Sequence, residues 1–198
     1  MPRSKSLLRA ALLGALVVLS PPVGYLGLHY AVGNIHEVVP GGLYRSGQLD
    51  GAALRQLVQS SGIRTIVNLR GAHPGERWYD EEAALARENG IRYVAIAISA
   101  RSEPDMAQMI GMARALQDAP GPILVHCMGG ADRSGLASAI YQLVVEGRNE
   151  EEAAAQLSIQ FGHFPWLGSE TGAMDRAFAS FAAYWSERAR SLVASDER

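Results

Sequence analysis

The stretch Val125-His126-Cys127-Met128-Gly129-Gly130-Ala131-Asp132-Arg133-Ser134-Gly135 constrains this chain more than any other. Before it, Pro122-Ile123-Leu124-Val125 is a short continuous apolar run, the pattern of a strand covered on both faces. After it, Leu136, Ile140, Leu143 and Val144 recur at helical spacing. A glycine-bearing turn therefore joins a buried strand directly to a helix N-terminus.

Such a turn suits an anion. Successive backbone N–H groups in it form a positive concavity, and the unpaired N–H groups of the following helix add to the same end. Gly129 and Gly130 permit tight curvature and close approach of backbone to ligand. Arg133 offers a planar fork that pairs with two phosphate oxygens and keeps its charge at any working pH. Beside these groups Cys127 is expected to ionise, because a free thiol near pKa ~8.5 falls to ~3.5–7.5 at helix N-termini or next to cations. A thiolate held against a phosphate attacks phosphorus in line, giving a phosphocysteine that water hydrolyses.

His126-Cys127, Arg133 and Ser134-Gly135 resemble the cysteine-based protein tyrosine and dual-specificity phosphatases. The resemblance implies that Cys127 is the nucleophile, that Arg133 and the backbone of Met128, Gly129, Gly130 and Ala131 bind phosphate, and that Ser134 assists breakdown of the phosphocysteine. His126 resembles the family histidine that orients the loop, with Gly135 in support. The similarity covers roughly Gly41 to Tyr184, and it implies the compact fold of the dual-specificity size class.

The general acid is not fixed by the resemblance. Asp132 precedes Arg133 inside the loop, an arrangement similar to atypical branches that act on phosphoinositides as well as phosphoproteins and assign the acid to a loop aspartate. Its bland reading is a salt bridge that orients Arg133. Asp105 follows Pro104, similar to the Pro-Asp of the family's movable loop, yet it falls at a helix start, where an acidic residue complements the dipole. Asp132 is preferred and Asp105 is second.

Strands alternating with helices define the fold class as α/β, with a central, mostly parallel sheet of four or five strands flanked by helices. Leu43-Tyr44-Arg45-Ser46 reads as the first strand, Thr65 to Leu69 as a second and Ile91 to Ile98 as a third. Asp50 caps a helix closed by Gly62, Glu76 to Asn89 forms another, and Ser102 is expected to cap a third that carries Met106, Met109, Ile110, Ala113 and Leu116 inward. A last helix from Thr171 to about Leu192 buries Met174, Phe178, Phe181 and Trp185. Arg70, at the C-terminal end of the second strand, either touches substrate or makes a surface ion pair. His163 lies in an aromatic turn and reads as a structural histidine rather than a pocket residue.

The N-terminus carries a separate signal. Arg3, Lys5 and Arg9 precede a stretch that has no acidic or basic side chain except His29 and His36 until Glu37. Residues 7 to 32 would rise ~39 Å as a helix, enough to cross a ~30 Å hydrocarbon core. Residues 1–33 are thus expected to form a signal-anchor, with a cleaved signal peptide as the alternative, and the positive flank places the following domain on the non-cytoplasmic side. Residues 34–42 read as a linker, 43–192 as the phosphatase domain and 193–198 as a tail.

A net charge of −2 in 198 residues, without a basic stripe, excludes a nucleic-acid partner. Cys127 is the sole cysteine, so no internal disulfide protects it. No metal-ligand cluster and no cofactor motif occurs. The expected partner is a phosphorylated protein or lipid, with phosphotyrosine or another phosphoprotein first and an inositol or lipid phosphate second. The rivals are a catalytically weak phosphate-binding module and a sulfurtransferase. Arg133 followed by Ser134 favours phosphoryl chemistry over sulfur transfer.

Overall fold

Apolar residues alternate across the central strands, and that alternation builds the molecule. In the computed structural model, which describes residues 31–166 and 168–196 together with Gly14, Gly24 and Gly27, Ile123 and Val125 of one strand enter one core while Leu124 between them enters the other. Ile66 and Val67 divide in the same way. Successive side chains of a strand point to opposite faces, so these strands demand cover on both sides.

The elements are β1 (His36–Val39), β2 (Leu43–Ser46), α1 (Gly51–Ser61), β3 (Thr65–Asn68), α2 (Arg77–Glu88), β4 (Arg92–Ala95), α3 (Met106–Gln117), β5 (Ile123–His126), α4 (Asp132–Val144), α5 (Glu150–Ala154), a 3-10 turn (Ile159–Phe161) and α6 (Gly172–Asp196). The five strands lie in the order β1-β2-β5-β3-β4; β1 pairs antiparallel with β2 and all other pairs are parallel. Leu54, Leu57 and Val58 of α1 and Leu85 and Ala86 of α2 cover one face, against Ile66 and Leu124. Helices α3, α4 and α6 cover the other with Met109, Met112, Leu116, Leu136, Ile140, Met174, Phe178 and Phe181. Fully burying one such side chain contributes roughly 1.5–3 kcal/mol.

Local chemistry sets the helix ends. The Asp50 carboxylate accepts from Ala52 N and Ala53 N at 2.9 and 2.8 Å, and Gly62 closes α1 in the left-handed region at φ 63°. At α3 the cap is Asp105, not Ser102. Its carboxylate accepts from Gln108 N at 2.8 Å while Gln108 Oε1 accepts from Asp105 N at 3.0 Å, a reciprocal box that satisfies two otherwise orphaned donors.

Three expected boundaries shift. Residues 34–42 are not a linker, because β1 lies within them and joins the sheet through β2. The third strand ends at Ala95 rather than Ile98, since its partner β3 ends at Asn68; Ile96 N still donates to Asn68 O at 2.8 Å before the chain turns away. The last helix runs to Asp196, past the expected end at Leu192. The expected membrane segment, residues 1–33, lies almost wholly outside the described residues; among those described, no helix is long and apolar enough to cross a membrane.

Candidate active site

Ser46, His126, Asn68 and Ala95 share one row of the sheet register, so β2, β5, β3 and β4 all end at one level. The loops leaving that edge are Gly47-Gln48, Cys127 to Ala131, Leu69 to Gly71 and Ile96 to Asp105. In open parallel sheets this carboxyl edge, where chain order reverses, is where ligands bind.

The loop 127–131 is shaped by what holds its carbonyls. Met128 O accepts from Gln48 N at 3.0 Å, Gly129 O from Asn34 Nδ2 at 2.9 Å, and Gly130 O and Ala131 O from Arg45 Nη2 at 3.0 and 2.8 Å. Four successive carbonyls are thus tied away from the loop's interior, which turns amide N–H groups toward it. Gly130 N donates to Cys127 Sγ at 3.3 Å. Gly130 sits at φ 73°, and a Cβ there would lie 2.5 Å from Gly47 N and 2.6 Å from Ser46 C. Only glycine fits.

Two of these clamps, Arg45 and Asn34, were not anticipated. Arg45 is completely buried; its Nη1 donates to Gln156 O at 2.8 Å and its guanidinium lies 4.2 Å above the Phe161 ring. Burial pulls its pKa down to about 10, against the opposing pull of Cys127 and Asp132, so it stays charged at neutral pH. The signal was present, since strand periodicity puts Arg45 on the same face as Leu43. Asn34 also donates to Phe161 O at 2.9 Å, at φ 48°, from a segment read as a linker.

Arg133 begins the second turn-edge of the site. Its Nη1 donates to Leu69 O and Ile98 O at 3.2 and 3.3 Å, while Nε is buried and has no partner among the described residues. A buried guanidinium N–H left over in this way can serve an anionic oxygen acceptor. Ser134 is buried, and its hydroxyl donates to Ser46 O at 3.3 Å. Gly135 lets α4 approach the 156–157 segment, since a Cβ there would meet Gln156 O at 2.9 Å. Met128 points its side chain to solvent and Ala131 is buried.

His126 does not bond the loop directly. Its Nε2 meets Glu82 Oε1 at 2.8 Å, and Glu82 also accepts from Tyr93 Oη at 2.7 Å and Gln48 Nε2 at 2.9 Å. Burial pushes the Glu82 carboxyl up, but the His126 hydrogen bond and charge and the other donors outweigh it and hold the carboxyl below its ordinary value. Glu82 was overlooked in the sequence, although it falls on the buried stripe of α2 with Leu85 and Ala86. Through Gln48 the network reaches Arg70, whose Nη1 donates to Gln48 Oε1 at 2.9 Å and whose guanidinium lies 3.5 Å from the Trp78 ring centre. Among the described residues Arg70 makes no ion pair. Burial lowers its pKa, as does the Arg133 charge, while Glu82 and Cys127 oppose them, so it belongs to the same electrostatic neighbourhood as the loop.

The two acid candidates separate. Asp105 is exposed and occupied as the α3 cap. Asp132, at the first position of α4, accepts at Oδ1 from His163 Nδ1 at 2.7 Å. His163 is completely buried and its Nε2 meets Asp175 Oδ2 at 2.9 Å. It is therefore fixed by two carboxylates, not by an aromatic cluster. Among the described residues no group of His, Cys, Asp and Glu is arranged to hold a metal ion.

A family model described as "DSP-PTPase phosphatase fused to NAD+ Kinase" matches residues 34–171. The dual specificity protein phosphatase TpbA of Pseudomonas aeruginosa is 30% identical over 133 residues, 66% of this chain and 55% of that protein. The chain spans about half the length of the curated relatives it matches. The crystal structure of P. aeruginosa TpbA superposes with a TM-score of 0.59 at 23% identity, covering 78% of this chain and 91% of that one. A cysteine-to-serine variant of TpbA in complex with pTyr gives 0.55 at 25% identity, covering 75% and 90%.

Proposed function

Because the chain belongs to the cysteine-based dual-specificity phosphatase family, we propose that it hydrolyses phosphomonoesters through a phosphocysteine on Cys127, with phosphotyrosine or another phosphoprotein as substrate. The observation that carries this reading is the loop itself: four carbonyls tied outward, Gly130 N–H on Cys127 Sγ and a spare buried Arg133 Nε. The name of the TpbA relative and the pTyr complex of its variant support the substrate class.

In the first step Cys127 Sγ forms a bond to phosphorus as the bond to the leaving oxygen breaks. Arg133 and the loop amides hold the three equatorial oxygens, whose charge is greatest in the transition state. Asp132 gives the leaving oxygen a proton; Oδ1 is taken by His163, which leaves Oδ2 for this role. In the second step Asp132 takes a proton from water, water oxygen bonds phosphorus, and the P–S bond breaks to release inorganic phosphate and the Cys127 thiolate. Asp105 is engaged as the α3 cap, which favours Asp132 over it. A surface hollow of about 500 Å³ beside Asp132, walled by Phe164 and Trp166, suits an aryl leaving group.

The test is turnover of a phosphotyrosine peptide panel beside phosphoinositides. Cys127→Ser is expected to abolish hydrolysis and retain tungstate binding; residual turnover at the wild-type rate would exclude the covalent route. Arg133→Lys is expected to lose most activity, because a point charge cannot replace the bidentate fork.

We also propose that residues 1–33 anchor the protein with its phosphatase domain on the non-cytoplasmic side, on the strength of Arg3, Lys5 and Arg9 before the apolar run. Reporters fused after Gly41 are expected to be active outside the cytoplasm, and the full-length chain to sediment with membranes. A shortened soluble product would favour cleavage.

A further inference from the structure

His163 has no place in the phosphate loop, and nothing in the family motif calls for it. It is nonetheless completely buried, and both ring nitrogens are spent on carboxylates from different helices, Asp132 of α4 at 2.7 Å and Asp175 of α6 at 2.9 Å. The Asp175 carboxylate only accepts, and so does Asp132 Oδ1 whether or not Oδ2 carries the proton for the leaving group, so both ring nitrogens donate and the ring is an imidazolium. Its backbone is pinned as well, with His163 N donating to Ser158 O at 3.1 Å.

We propose that His163 is a positioning residue for the phosphatase reaction: anchored by Asp175, it fixes the Asp132 carboxylate so that one oxygen is held and the other meets the leaving group.

The physical content is a fixed rotamer and a fixed charge. An aspartate at the start of a helix and a quarter exposed has several rotamers to choose from; a bond at 2.7 Å to a buried, doubly tethered ring selects one. The imidazolium also stabilises the carboxylate that remains once Asp132 has given up its proton, which helps at the moment the leaving group departs. Asp175, with 43% of its side chain exposed, has its hydrogen bond among the described residues with His163 and acts through it. The charged groups that meet the cluster are these two carboxylates and, through Asp132, Arg45 of β2 and the adjoining Arg133; Arg176 beside Asp175 is engaged by Glu103. Burial draws the His163 pKa down, but the bonds to Asp132 and Asp175 raise it above the ordinary value of 6.5 on balance.

This inference rests on Asp132 as the acid, and the test separates the two. Ring nitrogens of His163 are followed by NMR in the full chain as pH is raised, in wild type, Asp175→Asn and Asp132→Asn. Both nitrogens are expected to stay protonated above pH 6.5, and each variant to lose the proton at least ~1 pH unit lower, the usual effect of removing an adjacent opposite charge. A ring that titrates normally and is indifferent to both variants overturns the positioning role whatever the acid is. In parallel, kcat is measured against pH over a series of aryl phosphates. Asp175→Asn is expected to move the basic limb to lower pH and leave the acidic limb in place. His163→Gln is expected to slow poor leaving groups ~10-fold or more, to spare activated ones and tungstate affinity, and to add nothing to Asp132→Asn. Additive losses, or equal loss on all leaving groups, overturn the proposal. If Asp132→Asn shows no leaving-group dependence while the ring still responds, the acid assignment alone has failed. Should His163→Gln not fold, the exposed Asp175→Asn carries both measurements.

Discussion

Asp105 and Asp132 carry the same functional group and face opposite demands. Asp105 completes a capping box on an exposed helix start, so Asp105→Ala is expected to cost ~1 kcal/mol of stability and to leave turnover on good and poor leaving groups near wild type. Denaturant midpoints and an aryl phosphate series measure the two effects. Asp132→Asn is expected to slow poor leaving groups by ~10²–10⁴ and activated ones far less. Gly130 is a third case, fixed by shape rather than charge. A left-handed alanine costs roughly 1–2 kcal/mol, but at Gly130 the added Cβ also meets the backbone of Ser46 and Gly47, which cannot yield as a side chain can. Gly130→Ala is expected to open the loop and abolish tungstate binding. Cys127, Gly130 and Arg133 stand out in the sequence because they fall at every third position of one short stretch between a strand and a helix. Asp105 and Asp132 are harder to separate in sequence, because a cap and an acid look alike until their partners are in place.

Among elements, β1 and β2 show what one-dimensional reading leaves out. The longer α-helices announced themselves through their own periodicity, though the cap of α3 did not, and β3 and β5 through apolar runs. Strand β1 is four residues long, carries His36 and Glu37, sits at the sheet's edge and gains its structure from pairing with β2. Such a strand has no local signature. It matters for function because Asn34 enters with it and holds Gly129 O. Arg45 of β2 does the same for Gly130 and Ala131, at a distance of more than eighty residues in sequence. Arg45→Met keeps the stem but removes the side-chain donor of the Gly130, Ala131 and Gln156 carbonyls, of which Ala131 O keeps its bond from Gly135 N. At ~1–3 kcal/mol for each of the two acceptors left, the expected loss is about 2 kcal/mol or more, read from denaturant unfolding. Arg45→Lys is expected to recover only part of it, since one ammonium cannot span the carbonyls that the guanidinium fork reaches.

At the scale of the whole molecule, two ionic clusters, centred on the buried Glu82 and the buried His163, flank the 127–131 loop from opposite helical layers, and they respond to pH in opposite senses. Glu82 of α2 ties His126 and Gln48 from one side of the sheet, and its carboxyl is held below the ordinary 4.5. A depressed carboxyl contributes stability that is present above its unfolded value and is lost as pH falls through the folded one. His163 ties α4 to α6 on the other side, and its ring is raised above 6.5. A raised imidazole contributes stability that is present below its unfolded value and is lost as pH rises through the folded one. The two windows overlap between about pH 4.5 and 6.5, where both clusters are fully formed. Thermal unfolding of the full chain is expected to give its highest midpoint there and to fall on either side. Asp175→Asn is expected to weaken the alkaline fall alone, because it removes one reason for the ring to hold its proton. Glu82→Gln is expected to weaken the acidic fall alone, at a lower midpoint throughout, because His126, Tyr93 and Gln48 lose a charged partner. A profile whose two limbs change together in either variant would mean that the clusters are coupled across the sheet rather than anchored independently to its two faces.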